Sequence, residues 1–302
     1  MSLIKDSIKT AEKIVALGLV TYGSYKLLSQ NLFDRVFKKR DESNIKDNTF
    51  NEWLSKSNVT QVRIKSYDGI KLNSYKIENN NTNDYIILLH GIWSNKTHMY
   101  KYAFEFDKLG YNVLLIDQRC CGESEGNYYT YGFKESFDLL RWINYLVTKN
   151  NQVNITLFGV SNGASTCMMT TNNYLPSNVK TIVSDCGFSS FKEQIEYVLI
   201  NDYKIIKPDI ILKMFEQIMY DRFGFKFKDI SCKDALKNNE IPILFIHGED
   251  DDFVPYKMSK ILYNNNKGVK KYFTIANKKN AECIYCNKYF DVINNFIKQY
   301  QV

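Results

Sequence analysis

From residue 60 onward, short runs of β-branched and aliphatic residues alternate with segments whose apolar residues recur at helical spacing. That alternation is the pattern of βαβ units around a mostly parallel sheet, an α/β fold. Eight strands are predicted: Thr60 to Ser66, Lys71 to Glu78, Asp84 to His90, Tyr111 to Asp117, Asn154 to Gly159, Val179 to Asp185, Ile241 to His247 and Lys271 to Ala276. The first two are joined by Tyr67-Asp68-Gly69, a turn between alternating segments, and should form an antiparallel hairpin at the sheet edge. The later runs are almost continuously apolar, which suits strands covered on both faces. Helical spacing over Tyr100 to Leu109, Phe133 to Val147, Ala164 to Asn173, Lys257 to Asn264 and Tyr289 to Tyr300 supplies the cover.

Between about residues 188 and 240 the alternation gives way to a helical pattern rich in aromatic residues: Phe191, Tyr197, Phe215, Tyr220, Phe223, Phe225 and Phe227. Falling between two strands, it reads as a small helical cap over the carboxyl edge of the sheet, where open α/β sheets take ligands, with its rings lining an apolar pocket. The chain thus divides into an N-terminal helical segment over residues 1–50 and an α/β domain over 51–302 that contains the cap.

The N-terminal segment carries an apolar stretch from Ile14 to Tyr25, shorter than the roughly 20 residues of a spanning helix. Extended to Phe33, it must accommodate Lys26. The basic residues after it (Arg35, Lys38, Lys39, Arg40) outnumber those before it (Lys5, Lys9, Lys13). By the positive-inside rule, a membrane association through residues 14–33 would leave the body of the protein in the cytoplasm; the alternative is an amphipathic helix packed on the domain.

Composition narrows the function classes. Hydrophobic residues make up 44% and aromatic residues 15%, as in a packed globule rather than a disordered chain. The net charge of +7 comes from scattered lysines without a zinc-finger, helix-turn-helix or RNA-binding signature, so no nucleic-acid partner is expected. Seven cysteines, two of them the adjacent Cys120 and Cys121, do not form the paired framework of a small secreted domain and fit a reducing compartment.

The sharpest chemical motif is Gly159-Val160-Ser161-Asn162-Gly163, which follows an apolar strand and opens a helix. A serine on such a strand-to-helix turn is a nucleophile elbow: the hydroxyl is exposed while glycines permit close approach. His90-Gly91-Ile92-Trp93 ends the third strand, where the amide of Ile92 is placed to complete an oxyanion hole with that of Asn162. His90 itself is expected to pin the loop by hydrogen bonds. The acid-rich turn Glu249-Asp250-Asp251-Asp252, after a late strand, offers a carboxylate to orient a base. Cys283-Ile284-Tyr285-Cys286 has metal-site or redox spacing but no second Cys or His pair, and the acidic turn lacks EF-hand spacing. No metal or cofactor is expected.

With HGIW, DQRCCGESEG, GVSNGAS, SDCGFSS and HGEDDDFVP in that order, the chain from about Val62 onward resembles the α/β-hydrolase superfamily. Within it, the motifs are similar to the bacterial serine-aminopeptidase-like and acyl-hydrolase (esterase-lipase) branch. The resemblance implies an eight-stranded sheet and a serine hydrolase that cleaves carboxylic esters or amides through an acyl-enzyme. It makes Ser161 the nucleophile and Asp251 the triad acid, with Asp185 as the fallback. Where the family carries a triad histidine, in a pattern like Gly-His-Ala-Glu, this chain reads Lys279-Asn280-Ala281-Glu282, and a second family histidine is replaced by Cys121. The chain has only His90, His98 and His247, none after the last strand.

An amide has no basic lone pair near neutral pH and cannot take the serine proton and return it to a leaving group. Two expectations follow. The chain is a hydrolase with another base, for which His98, near the start of the helix after the oxyanion loop, is the candidate; or it is a pseudoenzyme that binds a small ester, amide or peptide-like ligand in the same pocket, or a protein partner on the cap face.

Overall fold

The computed structural model describes residues 33, 34, 36–38 and 48–301. The apolar stretch 14–33 therefore lies outside the described residues except for Phe33. In chain order the elements are α1 (Asn48–Lys56), β1 (Val59–Lys65), β2 (Lys71–Ile77), β3 (Asp84–Leu89), α2 (Tyr100–Lys108), β4 (Asn112–Asp117), α3 (Phe133–Lys149), β5 (Asn154–Val160), α4 (Asn162–Met169), β6 (Val179–Asp185), α5 (Phe191–Asn201), α6 (Asp209–Phe223), α7 (Cys232–Ala235), β7 (Ile243–Gly248), α8 (Lys257–Asn265), β8 (Lys270–Ile275) and α9 (Tyr289–Lys298). Among the described residues, no helix is long and apolar enough to cross a membrane.

The described chain falls into two compact units, one of residues 33, 34 and 36–38 with 190–230 and one of residues 48–189 with 231–301. The larger unit holds an eight-stranded sheet in the order β1-β2-β4-β3-β5-β6-β7-β8. The β1–β2 hairpin is antiparallel, β2 meets β4 antiparallel, and every later pairing is parallel. This is the α/β-hydrolase architecture. Strands β4 and β7 are buried at every position, whereas the edge strands β1 and β8 are half exposed and carry lysines and an arginine. Central strands covered on two sides need continuous apolar runs, and charged edges discourage edge-to-edge pairing. Strand β7 begins at Ile243, two residues later than its pattern predicts. Pro242 has no N–H to give the ladder and contributes only its carbonyl, to the Ile182 N–H.

One face of the sheet is closed by α2 and α9, where Phe106, Phe158, Tyr102 and Tyr289 meet in a fully buried cluster. Ring centroids there stand 5.3 to 6.3 Å apart, mostly edge to face, a geometry that adds to the area each ring buries. The turn at Tyr67-Asp68 is tied to α3 by Arg119. Its guanidinium reaches Asp138 at 2.6 and 2.8 Å and Asp68 at 3.0 and 3.1 Å.

The smaller unit contains α5 and α6, and its aromatic residues pack on one another. Phe37 stacks on Phe215 at 5.5 Å and meets Phe191 at 5.9 Å, Phe33 meets Phe223 at 4.8 Å, and Phe215 stacks on Phe227 at 5.9 Å. Rings expected from the sequence to line a pocket thus build a small core of their own. That core recruits Phe33 and Phe37 from far upstream, and Arg222 lies 4.6 Å over the Phe33 ring.

Candidate functional site

Ser161 stands between the end of β5 and the start of α4 with φ 54° and ψ −118°. A non-glycine residue in this region costs about 1–3 kcal/mol and persists only where its surroundings over-determine it. Here they do. The Ser161 N–H donates to the Asp185 carbonyl at 2.7 Å. A Cβ on Gly159 would fall 2.3 Å from the Gly163 carbonyl group, and one on Gly163 would fall 2.3 Å from the Leu89 oxygen and 2.6 Å from the His90 oxygen. The helix therefore starts tight against the end of β3, a packing that only glycine allows.

The same closeness brings the loop after β3 to the serine. A Cβ built on Gly91 would be 3.6 Å from Ser161 Cβ, so Gly91-Ile92 borders the turn. Asn162 opens α4, and an N–H at that position has no partner within its own helix. Its side-chain Oδ1 is buried without a hydrogen bond.

His90 holds this arrangement in register. Its Nε2 accepts the Gln118 N–H at 3.1 Å, so Nδ1 carries the proton and donates to the Gly91 oxygen at 2.8 Å. Burial pushes the imidazole down to about 4, so the neutral ring serves as a brace. Gln118 Nε2 returns a bond to the His90 oxygen at 2.7 Å, and Thr166 on α4 donates to Gln118 Oε1 at 3.2 Å. Sequence reasoning missed both roles: Gln118 lies in the DQRCCGESEG motif but was given no function there, and Thr166 belongs to no motif.

A second brace is the buried Lys96, whose ammonium lies 2.6 Å from Asp117 and 2.5 Å from Glu123, and 4.5 Å over the Tyr75 ring. Burial alone would lower Lys96, but the two carboxylates outweigh it and raise the ammonium above its ordinary value. Gly122 is required beside it, at φ 49°, because a Cβ there would fall 2.5 Å from the Asp117 carboxylate.

The turns after β7 and β8 carry the acid and the asparagine. Asp251 Oδ1 accepts the N–H groups of Phe253 and Val254 at 3.0 and 2.8 Å, while Oδ2 accepts Asn280 Nδ2 at 2.8 Å. His247 Nε2, 3.1 Å from Oδ2, also donates to the Val254 oxygen at 2.8 Å. The two turns are stitched together: Asp250 N–H donates to the Lys278 oxygen at 3.1 Å, Glu249 N–H to the Ile275 oxygen at 3.0 Å, and Lys279 pairs with Asp252 at 3.1 Å. A Cβ on Gly248 would lie 2.1 Å from the Lys278 oxygen.

The other sequence candidates are placed elsewhere. Asp185 points its Oδ2 at the buried Tyr289 hydroxyl. Burial pushes its carboxyl up to about 6 against the opposing effect of that bond. Asn280 is thus joined to Asp251 and not to Asp185. Cys121 is buried, with its Sγ on the Arg119 oxygen at 3.4 Å. Burial lowers His98, and its Nδ1 is enclosed without a hydrogen-bond partner, so this nitrogen does not engage the Ser161 hydroxyl. Cys283 is buried and its thiol is raised, by burial first, which leaves it inert rather than poised for redox or metal chemistry.

Residues 84–205 match the family model described as alpha/beta hydrolase fold. The chain is similar to the uncharacterized protein YqkD of Bacillus subtilis (strain 168), with 30% identity over 280 residues, covering 89% of this chain and 87% of that protein. It is also similar to protein bem46 of Schizosaccharomyces pombe, with 23% identity over 96% of this chain and 90% of that one. Among solved structures it resembles the Pyrococcus furiosus esterase Pf2001, with a TM-score of 0.69 and 22% identity over 88% of this chain and 100% of the esterase. Identity at the level of the Bacillus relative, over most of both chains, carries the conclusion to which the strained turn at Ser161 already pointed: the chain belongs to the α/β-hydrolase fold superfamily.

Proposed function

We propose that this protein carries a serine-hydrolase site for carboxylic esters or amides of modest size, disarmed by Asn280. Ser161 is the nucleophile, the backbone N–H groups of Ile92 and Asn162 form the oxyanion hole, and Asp251 is the triad acid. In this reading the chain binds an ester, amide or peptide-like ligand and turns it over only at the residual rate that oriented binding and oxyanion donors supply. The observation that carries it is the 2.8 Å bond from Asn280 Nδ2 to Asp251 Oδ2. The acid faces the position where a base belongs, and the group there can donate to it but cannot accept the serine proton.

The strained Ser161 backbone and the stitched turns support the same reading, since they hold the other parts of an acyl-transfer site in place. The N-terminal stretch 14–33, with its basic residues following, is read as a membrane-surface attachment that leaves the domain on the cytoplasmic side.

The test is hydrolysis of short p-nitrophenyl esters by the unmodified chain, Ser161→Ala and His98→Ala. Triad members act as a unit, so removing serine from a site that already lacks its base changes little. The three rates should be equal within about twofold. Turnover that depends on Ser161 and falls in His98→Ala would overturn the disarmed reading and make His98 the base.

A further inference from the structure

Near its end β7 carries His247, a buried imidazole to which the acyl-transfer reading gives no part. Its Nδ1 is enclosed without a hydrogen-bond partner, and the ring lies edge-on to Tyr256 with centroids 6.0 Å apart. Hydrogen bonding is confined to Nε2. The Val254 oxygen, 2.8 Å away, can only accept, so Nε2 carries a hydrogen, and the same nitrogen stands 3.1 Å from Asp251 Oδ2. One N–H is thus shared between a backbone carbonyl and a carboxylate oxygen, a three-centre arrangement.

Asp251 is held differently at its two oxygens. Oδ1 takes the N–H groups of Phe253 and Val254, both from its own turn. That fixes one oxygen and leaves the carboxylate able to pivot about it. Oδ2 takes Asn280 Nδ2 from the turn after β8 and faces His247 Nε2 from β7. A group at 280 is a poor fixed point for the acid, because in acyl transfer the acid orients the base and not the reverse. His247 is a good one. It belongs to a strand buried at every position and is paired in register with Thr274 on β8, and its side chain and that of Asp251 are both fully enclosed.

We propose that His247 is the positioning residue of the triad acid: its Nε2–H fixes Asp251 Oδ2 toward position 280, whatever side chain stands there. Productive sites hold their reacting groups within about 0.5 Å through hydrogen bonds from rigid elements, and β7 is such an element. The proposal rests on the acyl-transfer reading for its catalytic meaning, while the orientation of Asp251 can be measured without turnover. A residue that merely closed the turn 248–254 would need the Val254 oxygen and not the carboxylate.

The test compares the full chain with His247→Leu and His247→Gln. Glutamine Nε2 lies as many bonds beyond Cβ as histidine Nε2 and can donate in its place; leucine cannot. The readout is the side-chain amide signal of Asn280 in nitrogen–proton correlation spectra, assigned by its loss in Asn280→Ala. His247→Leu should move that signal toward the position of free asparagine amides while the backbone signals of Phe253 and Val254 stay, and His247→Gln should restore it. An Asn280 signal unmoved in His247→Leu would overturn the proposal. Movement of the Phe253 and Val254 signals along with it would do the same, making His247 a clasp of the turn. In the Asn280→His background, His247→Leu should lower kcat by about tenfold to a hundredfold with KM within about twofold; an unchanged kcat would overturn the positioning role. Absence of Ser161-dependent hydrolysis in Asn280→His would overturn the triad reading instead, whereas the amide signals test His247 in either case.

Discussion

Substituting Asn280 by histidine tests the site where its geometry is most explicit. Asparagine Nδ2 and histidine Nδ1 occupy the same branch, one bond beyond Cγ. An imidazole on the Asn280 backbone therefore places Nδ1–H where the amide now donates to Asp251 Oδ2 at 2.8 Å, leaving Nε2 directed away as the base. In subtilisin, loss of histidine alone lowers turnover by about a millionfold, equivalent to roughly 8 kcal/mol of barrier. Asn280→His should accordingly raise p-nitrophenyl ester hydrolysis by roughly ten-thousand- to a millionfold. The gain should vanish when Ser161→Ala is added, because the two residues act as one unit. The rate should climb with pH through about 6.5 to 7, as the new imidazole loses its proton. A folded Asn280→His chain with hydrolysis no faster than its Ser161→Ala counterpart would refute the assignment of position 280 and, with it, of Ser161 and Asp251 as a triad.

Three further outcomes follow from the packing. Gly163→Ala forces a Cβ to 2.3 Å from the Leu89 oxygen, against backbone that cannot yield; a loss of about 1–3 kcal/mol or more is expected, read as a fall of several degrees or more in melting temperature. Arg119→Ala leaves the buried Asp138 without its partner and should cost about 3–5 kcal/mol in urea unfolding, with Arg119→Lys recovering only part because an ammonium cannot reproduce the fork. His90 is pushed down to about 4 in the fold, so between pH 6.5 and 4 the unfolded chain binds more protons than the folded one. His90 therefore contributes no penalty above pH 6.5 and a growing one below it, approaching about 3 kcal/mol near pH 4. Urea unfolding at pH 7 and pH 5 should show a smaller difference in His90→Asn than in the unmodified chain.

The sheet was legible because its strands are buried on two sides and therefore must be continuously apolar, and the edge hairpin because its turn residues are explicit. The serine turn was legible for a related reason: Gly159 and Gly163 mark a backbone approach that no other residue permits. What the sequence concealed is held by groups distant along the chain. That His90 pins its loop was expected, but its partners Gln118 and Thr166 lie on two other segments and are joined by bonds that leave no periodic trace. The recruitment of Phe33 and Phe37 beside Phe191 and Phe215 is a packing event, invisible to a pattern read one window at a time. The choice between Asp251 and Asp185 rested on resemblance alone, and no sequence pattern foretold that the first would bond to Asn280 and the second to Tyr289.

The turns bearing Asp251 and Asn280 are fastened to each other through Asp250 and Lys278, Glu249 and Ile275, and Lys279 and Asp252, while the side chain at 280 adds only one bond to that seam. Its spatial address is therefore set by its neighbours and not by its own identity. If this address is that of the base, as proposed, a single replacement can remove or restore it and leave the folded state nearly as stable as before. On the proposed reading, loss of turnover along such a route is reversible, and the scaffold that remains is a dormant catalyst rather than a ruin.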